Sequence, residues 1–120
     1  MAREFRYLAE DGYGTVALFD DGSFSGAVQH ASTGCNTRRA DDGKWALGPD
    51  GTALTLTVTQ SLRRECRCRG RCAAGCVMRA GDVGVYACRL EGGRLHGYPG
   101  ADKDGAVGSV EWAFDEKRLP

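Results

Sequence analysis

The chain has 120 residues, of which 42% are hydrophobic, so it has the size and apolar content of one domain over 1–120. Its 16 Lys and Arg residues balance its 16 Asp and Glu residues, which excludes a net field drawing the whole molecule to nucleic acid or an anionic membrane. No run approaches the roughly 18 apolar residues of a membrane helix, and MAREFRYLAEDGYG lacks the apolar stretch of a signal peptide. We therefore expect a cytoplasmic protein.

Five Asp-Gly pairs and one Gly-Gly pair divide the chain into short segments. Glycine readily takes the positive φ that tight hairpin turns need and aspartate tolerates it, so each pair predicts a reversal of chain direction. The pairs are Asp11-Gly12, Asp21-Gly22, Asp42-Gly43, Asp50-Gly51, Gly92-Gly93 and Asp104-Gly105.

The segments between these turns are rich in β-branched and aromatic residues, which predicts short strands. In chain order the predicted strands are Arg3–Ala9, Tyr13–Phe19, Ser23–His30, Lys44–Gly48, Thr52–Gln60, Asp82–Glu91, Arg94–Tyr98 and Val107–Phe114. In the fifth strand, Leu54, Leu56 and Val58 alternate with threonines, which places one face in a core and the other in water.

Consecutive hairpins of this kind predict an all-β antiparallel meander. About eight strands in an open sheet would leave two exposed edges, and closure into an up-and-down barrel removes them. A two-sheet sandwich is the alternative architecture. With Gly43-Lys44-Trp45 near a turn, the outline resembles that of lipocalin-like barrels, and this likeness of fold implies no particular function.

A cysteine-rich segment, RECRCRGRCAAGC, lies in a predicted insertion loop at 61–80. Its thiols follow the spacing C-x-C-x3-C-x3-C, and zinc, Cu(I) and iron–sulfur clusters all favour several thiolates at one centre. We expect structural zinc, with Cu(I) or an iron–sulfur cluster as alternatives. The expected ligands are Cys66, Cys68, Cys72 and Cys76, and Cys88 or Cys35 could replace one of them.

Disulfide bracing is the alternative role for these thiols, because six cysteines are an even number. The pairing of such bridges is not deducible from the sequence. Metal binding is favoured because thiols so close along the chain gain little loop-closure stabilisation from bridging one another.

Arginines are concentrated in the same segment. Between Ser61 and Ala80, six arginines accompany one glutamate, a local excess of five positive charges. Guanidinium groups offset the negative charge of a thiolate site and lower thiol pKa values, and they also suit a protein surface or an anionic partner such as a phosphate group. The contacts expected with such a partner come from Arg64, Arg67, Arg69 and Arg71.

A small-molecule site is the second functional hypothesis. If the barrel keeps a cavity, large aromatic side chains would line a site for a small apolar ligand, in a lipocalin-like barrel with disulfide-braced loops. The residues expected to line it are Phe24, Trp45, Tyr86 and Trp112.

A reactive cysteine is the third hypothesis. Cys35 lies five residues after His30, a possible general base, and His96 is the other histidine of the chain. A site with sulfur in all four metal positions leaves none for an activating water, so we expect binding and not catalysis.

Overall fold

The structure is a computed structural model that describes residues 2–9, 12–32, 35–67, 76–80, 83–101 and 107–117. These ranges contain strands and turns and no helix, so none of them provides a helix able to cross a membrane. The strands are β1 (Ala2–Ala9), β2 (Gly12–Phe19), β3 (Ser23–Ser32), β4 (Cys35–Leu47), β5 (Ala53–Arg67), β6 (Cys76–Ala80), β7 (Gly84–Glu91), β8 (Arg94–Ala101) and β9 (Val107–Glu116).

The strands form a closed antiparallel barrel, which confirms the predicted fold class. Neighbours follow the order β4-β3-β2-β1-β9-β8-β7-β5-β6, and an additional pairing of β4 with β5 closes the ring. Leu62 lies opposite Ala80 in β6, and Val58 lies opposite Gly84 in β7. The register against β5 is the same for β6 and for β7, so these two strands occupy one strand position in the barrel. The barrel therefore has eight strand positions.

Most of the described turn signals are confirmed. Gly22, Gly51, Gly92 and Gly93 all have positive φ in the turns that join consecutive strands. Asp11, Asp104 and Gly105 lie outside the described residues.

The turn prediction for Asp42-Gly43 is wrong, because this pair lies inside β4. Asp42 is opposite Gln60 while Gly43 is opposite Val58, so β5 has one extra residue, Thr59, in a β-bulge. A Cβ on Gly43 would overlap the carbonyl oxygen of Thr57. The glycine therefore permits close approach of two strands and does not reverse the chain.

The predicted loop at 61–80 is shorter than expected. Strand β5 runs to Arg67 and β6 begins at Cys76, while β4 begins at Cys35, nine residues before the predicted start at Lys44. These extensions are polar, and the sequence analysis recognised strands by their apolar alternation. The polar extensions carry the interior polar cluster described below.

The apolar core fills the barrel interior around this cluster. It is formed by side chains from β1, β2, β3, β5, β7, β8 and β9, namely Phe5, Val16, Leu18, Phe24, Val28, Leu54, Leu56, Val58, Cys88, Leu90, Leu95, Tyr98 and Phe114. Trp45 is half-buried against this core, and its indole N–H donates to the carbonyl oxygen of Phe19 at 2.7 Å. The side chain of Trp112 lies outside the described residues.

Candidate functional site

A cluster of polar side chains is buried inside the barrel. Arg39 and Asp41 of β4 are each 1% exposed, and Ser61 of β5 is 7% exposed. Arginine and aspartate are almost never fully buried unless they are paired, because removing a charge from water costs several kcal/mol. The cluster is therefore the part of the interior whose chemistry requires an explanation.

Strand geometry explains why these side chains face inward. Residues two apart on a strand share a face, so Arg39 and Asp41 both point into the barrel while Arg38 and Ala40 point out. Asp41 lies directly opposite Ser61 on β5. This register places the Ser61 hydroxyl within hydrogen-bond reach of the Asp41 carboxylate.

Asp41 is the centre of the cluster. Its carboxylate accepts hydrogen bonds from Arg39 Nε at 2.8 Å, from Ser61 Oγ at 2.5 Å and from Tyr98 Oη at 2.5 Å. Arg39 Nε also lies 2.6 Å from the second carboxylate oxygen. Charge-assisted bonds of this kind are the strong ones, and together they compensate the burial of the carboxylate.

Tyr98 reaches the cluster from β8 because a glycine leaves space for it. Gly26 lies opposite Asp41 on β3, and a Cβ at this glycine would overlap the Tyr98 hydroxyl. Phe114 packs edge-on against the Tyr98 ring, with 5.7 Å between ring centroids. Burial, reinforced by the charge of Asp41, raises the pKa of Tyr98 well above 10.0, so the phenol remains a neutral donor.

Arg39 remains a cation in this environment. Burial by itself lowers the pKa of its guanidinium, but the hydrogen bond to Asp41 and the charge of Asp41 outweigh burial, and the pKa is raised overall. The guanidinium carbon lies 5.3 Å from the Tyr86 ring centroid and 6.0 Å from that of Tyr98. Two aromatic faces therefore hold the cation in place.

One nitrogen of Arg39 is unsatisfied. Nη2 donates to the Tyr86 hydroxyl at 3.1 Å, whereas Nη1 is buried and has no hydrogen-bond partner among the described residues. An unpaired buried donor costs about 1–3 kcal/mol, and more when the group is charged. Nη1 is thus a buried donor without an acceptor, and the hydrogen bonds of Nε and Nη2 fix its position.

Further arginine positions follow Arg39 across the ladders. Arg39 lies directly opposite Arg63 on β5, and Arg63 lies directly opposite Arg79 on β6. The register thus places three arginine positions in one row.

The cluster meets solvent at Tyr86, which is half-buried while Arg39, Asp41 and Tyr98 are buried. Along the described part of these strands, β7 pairs with β8 only from Arg89 to Glu91. Tyr86 lies three residues before this ladder, and Gly97 of β8 still approaches Ala87 and Cys88 of β7. Tyr86 is therefore the most exposed member of the cluster, while its other members are buried.

The predicted metal ligands are placed only in part. Cys66 and Cys76 lie directly opposite each other in the β5–β6 ladder, and their side chains are outside the described residues. Cys68 and Cys72 lie outside the described residues altogether. The described side chains contain no group of three or more His, Cys, Asp or Glu that could hold a metal, and Cys88 is buried in the apolar core.

Of the four arginines predicted to contact a partner, two lie among the described residues and two lie outside them. Arg64 is exposed on the outer face of β5, and Arg67 is the last residue of that strand. Arg69 and Arg71 lie outside the described residues.

The predicted Cys35–His30 pair lies on adjacent strands. Cys35 is opposite Ser32 and His30 is opposite Thr37, so the two positions are two residue pairs apart along the β3–β4 ladder. Their side chains lie outside the described residues. His96 is half-buried on β8 opposite Arg89.

No site role was predicted from the sequence for Arg39, Asp41, Ser61 or Tyr98. The available signal was opposite charges two residues apart, which share a strand face. Asp41 directly precedes Asp42-Gly43, and this turn-like context masked that signal.

No protein-family model, curated protein or solved structure matches this chain. The closed barrel and the buried cation inside it are therefore the features that indicate a function.

Proposed function

We propose that this protein is a ligand-binding barrel whose interior Arg39 receives the acidic group of a small molecule. The observation that carries the proposal is the buried, unpartnered Nη1 of Arg39. Its Nε already donates to Asp41 and its Nη2 to Tyr86. A ligand acceptor at Nη1 would give the third guanidinium nitrogen its hydrogen bond.

An anionic acceptor fits this position better than a neutral one. Asp41 balances the charge of Arg39, and the free guanidinium donor Nη1 is the group that remains for a ligand. A charge-assisted hydrogen bond to an anion is stronger than one to a neutral acceptor. The Tyr86 hydroxyl accepts a hydrogen bond from Arg39, so its own proton is directed elsewhere and can donate to the same ligand. A carboxylate or phosphate oxygen accepts from both donors.

Binding, and not catalysis, is the activity that these groups suit. A general acid or base works best when its pKa lies near the working pH. The pKa of Arg39 is raised further above its already high ordinary value and that of Tyr98 is raised well above 10.0, so neither group exchanges protons near neutrality. Their properties are those of fixed donors.

Titration calorimetry with benzoate, octanoate and inorganic phosphate tests this proposal. We expect at least one of these anions to bind the wild-type protein, and Arg39→Lys to weaken that binding about 10- to 100-fold, because a charge-assisted hydrogen bond is lost. Lysine keeps a positive charge beside Asp41, so the variant does not leave the buried carboxylate without a cation. Arg89→Lys is the control, because Arg89 is exposed on β7.

Tyr86→Phe is a second variant in case Arg39→Lys does not fold. It removes the hydroxyl beside Arg39 and keeps the ring, so we expect about threefold to tenfold weaker binding. No binding of any of the three anions to folded wild-type protein would contradict the proposal, as would equal affinities in wild type and both site variants.

We also propose a second function, thiolate metal binding by Cys66, Cys68, Cys72 and Cys76, with structural zinc as the metal. The specific support is the register, because directly opposite positions have Cβ atoms about 4.5–5.5 Å apart, close enough for two sulfurs to share one ion. A cytoplasmic location would keep these thiols reduced. The same separation also suits a disulfide, which is the competing outcome.

Elemental analysis of anaerobically purified protein separates these outcomes. Metal binding predicts about one equivalent of zinc, copper or iron, its loss in Cys72→Ser and its retention in Cys88→Ser, since Cys88 is a core thiol. Metal-free protein whose thiols are blocked under nonreducing conditions would contradict metal binding and establish disulfides.

A further inference from the structure

A shallow groove lies on the outer face of the barrel, between β4 and β5. It has a volume of about 250 Å³ and is lined by Arg38, Ala40, Leu62 and Arg64. Arg38 lies directly opposite Arg64, and Ala40 lies directly opposite Leu62. The groove thus consists of one basic pair and one apolar pair, adjacent to each other on the same face.

Arg38 and Leu62 are the two groups of this groove that the isolated barrel satisfies least. Two arginines at opposite positions repel each other, and Arg38 forms no salt bridge within the described part of the chain. Leu62 is 48% exposed because its neighbour Ala40 is too small to cover it. Both features become favourable when an apolar group fills the groove and an acidic group lies between the arginines.

We propose that this groove docks a short acidic segment of a partner protein. One apolar side chain of the segment packs on Ala40 and Leu62, and an adjacent Asp or Glu pairs with Arg38 and Arg64. The site is separate from the interior one, because Arg38 and Arg39 face opposite sides of β4.

The size and composition of the groove select this occupant. Pockets for small molecules and cofactors usually have about 300–1,000 Å³, so the groove suits a single side chain better than a cofactor. Single-stranded nucleic acid binds on aromatic stacking platforms, and the four residues that line the groove include no aromatic ring.

The test is fluorescence anisotropy with a labelled peptide in which Leu-Phe is flanked on both sides by two glutamates. We expect binding that weakens with salt, and Arg38→Glu to weaken it at least tenfold. Lys44→Glu is the matched control, because Lys44 is exposed on the same strand and face beyond the groove, and it should change affinity less than twofold. Leu62→Ser is a second variant that keeps all charges, and it should weaken binding about threefold or more.

Other results would overturn the docking proposal. Equal losses in Arg38→Glu and Lys44→Glu would show general charge attraction without a groove. Sedimentation showing that Arg38→Glu dissolves a wild-type dimer would assign the groove to a second copy of this chain, and tighter binding of a poly-uridine strand than of the peptide would assign it to nucleic acid. Benzoate affinity should be unchanged in Arg38→Glu, so failure of the docking proposal is distinguishable from failure of the interior site.

Discussion

The buried carboxylate of Asp41 depends on hydrogen-bond donors from three other residues. Arg39, Ser61 and Tyr98 all donate to it from within the barrel. Removing one donor leaves a buried charge less well compensated, which costs more than the net contribution of an ordinary hydrogen bond.

Tyr98→Phe tests this dependence. The variant keeps the ring against Phe114 and removes the hydroxyl, so we expect the free energy of unfolding at pH 7 to fall by about 1–3 kcal/mol. Urea unfolding with Ser25→Ala as an exposed control on β3 measures the loss. A change no larger than that of the control would contradict the role assigned to Tyr98.

The same variant carries a pH prediction. The pKa of Tyr98 is raised well above 10.0 in the folded protein, so its contribution to stability is complete below pH 10 and is lost as the pH rises above it. The unfolded chain then releases the phenol proton while the folded chain retains it. Between pH 9 and 11, wild-type stability should therefore fall more steeply than that of Tyr98→Phe, and parallel curves would contradict this account.

At the scale of elements, β4 shows where sequence patterns succeed and fail. Its end near Leu47 and the following turn at Asp50-Gly51 were predictable, because an apolar alternation stops at a glycine that needs positive φ. Its first half was not predictable, because a charged sequence without apolar alternation is typical of a surface loop, and here some of the charged residues face inward. Asp42-Gly43 has turn chemistry, yet the opposing strand β5 supplies enough pairing to keep this dipeptide extended.

The bulge at Gly43 gives a prediction for this element. In Gly43→Ala the new methyl group would overlap the Thr57 carbonyl oxygen and lie 2.9 Å from the Phe24 ring, so strands β4 and β5 must separate. We expect destabilisation of about 1–3 kcal/mol by thermal unfolding. Gly48→Ala is the control, because its Cβ would lie 3.3 Å from the Ala53 methyl group, and similar small losses in both variants would contradict the close approach.

In the molecule as a whole, the barrel interior combines an apolar core with a buried polar cluster. The closed meander was predictable from hairpin signals and from the cost of exposed edges. The interior cluster was not, because its members come from β4, β5, β7 and β8 and meet only when β4 pairs with β5. Tyr98 in particular reaches Asp41 across 57 residues of sequence.

The most direct test of the central claim is a crystal structure of the protein with benzoate. The account predicts a benzoate carboxylate oxygen within about 2.7–3.2 Å of Arg39 Nη1, with the Tyr86 hydroxyl also in contact. Benzoate bound elsewhere, with Arg39 Nη1 satisfied by an ordered water or by another part of this chain, would contradict it.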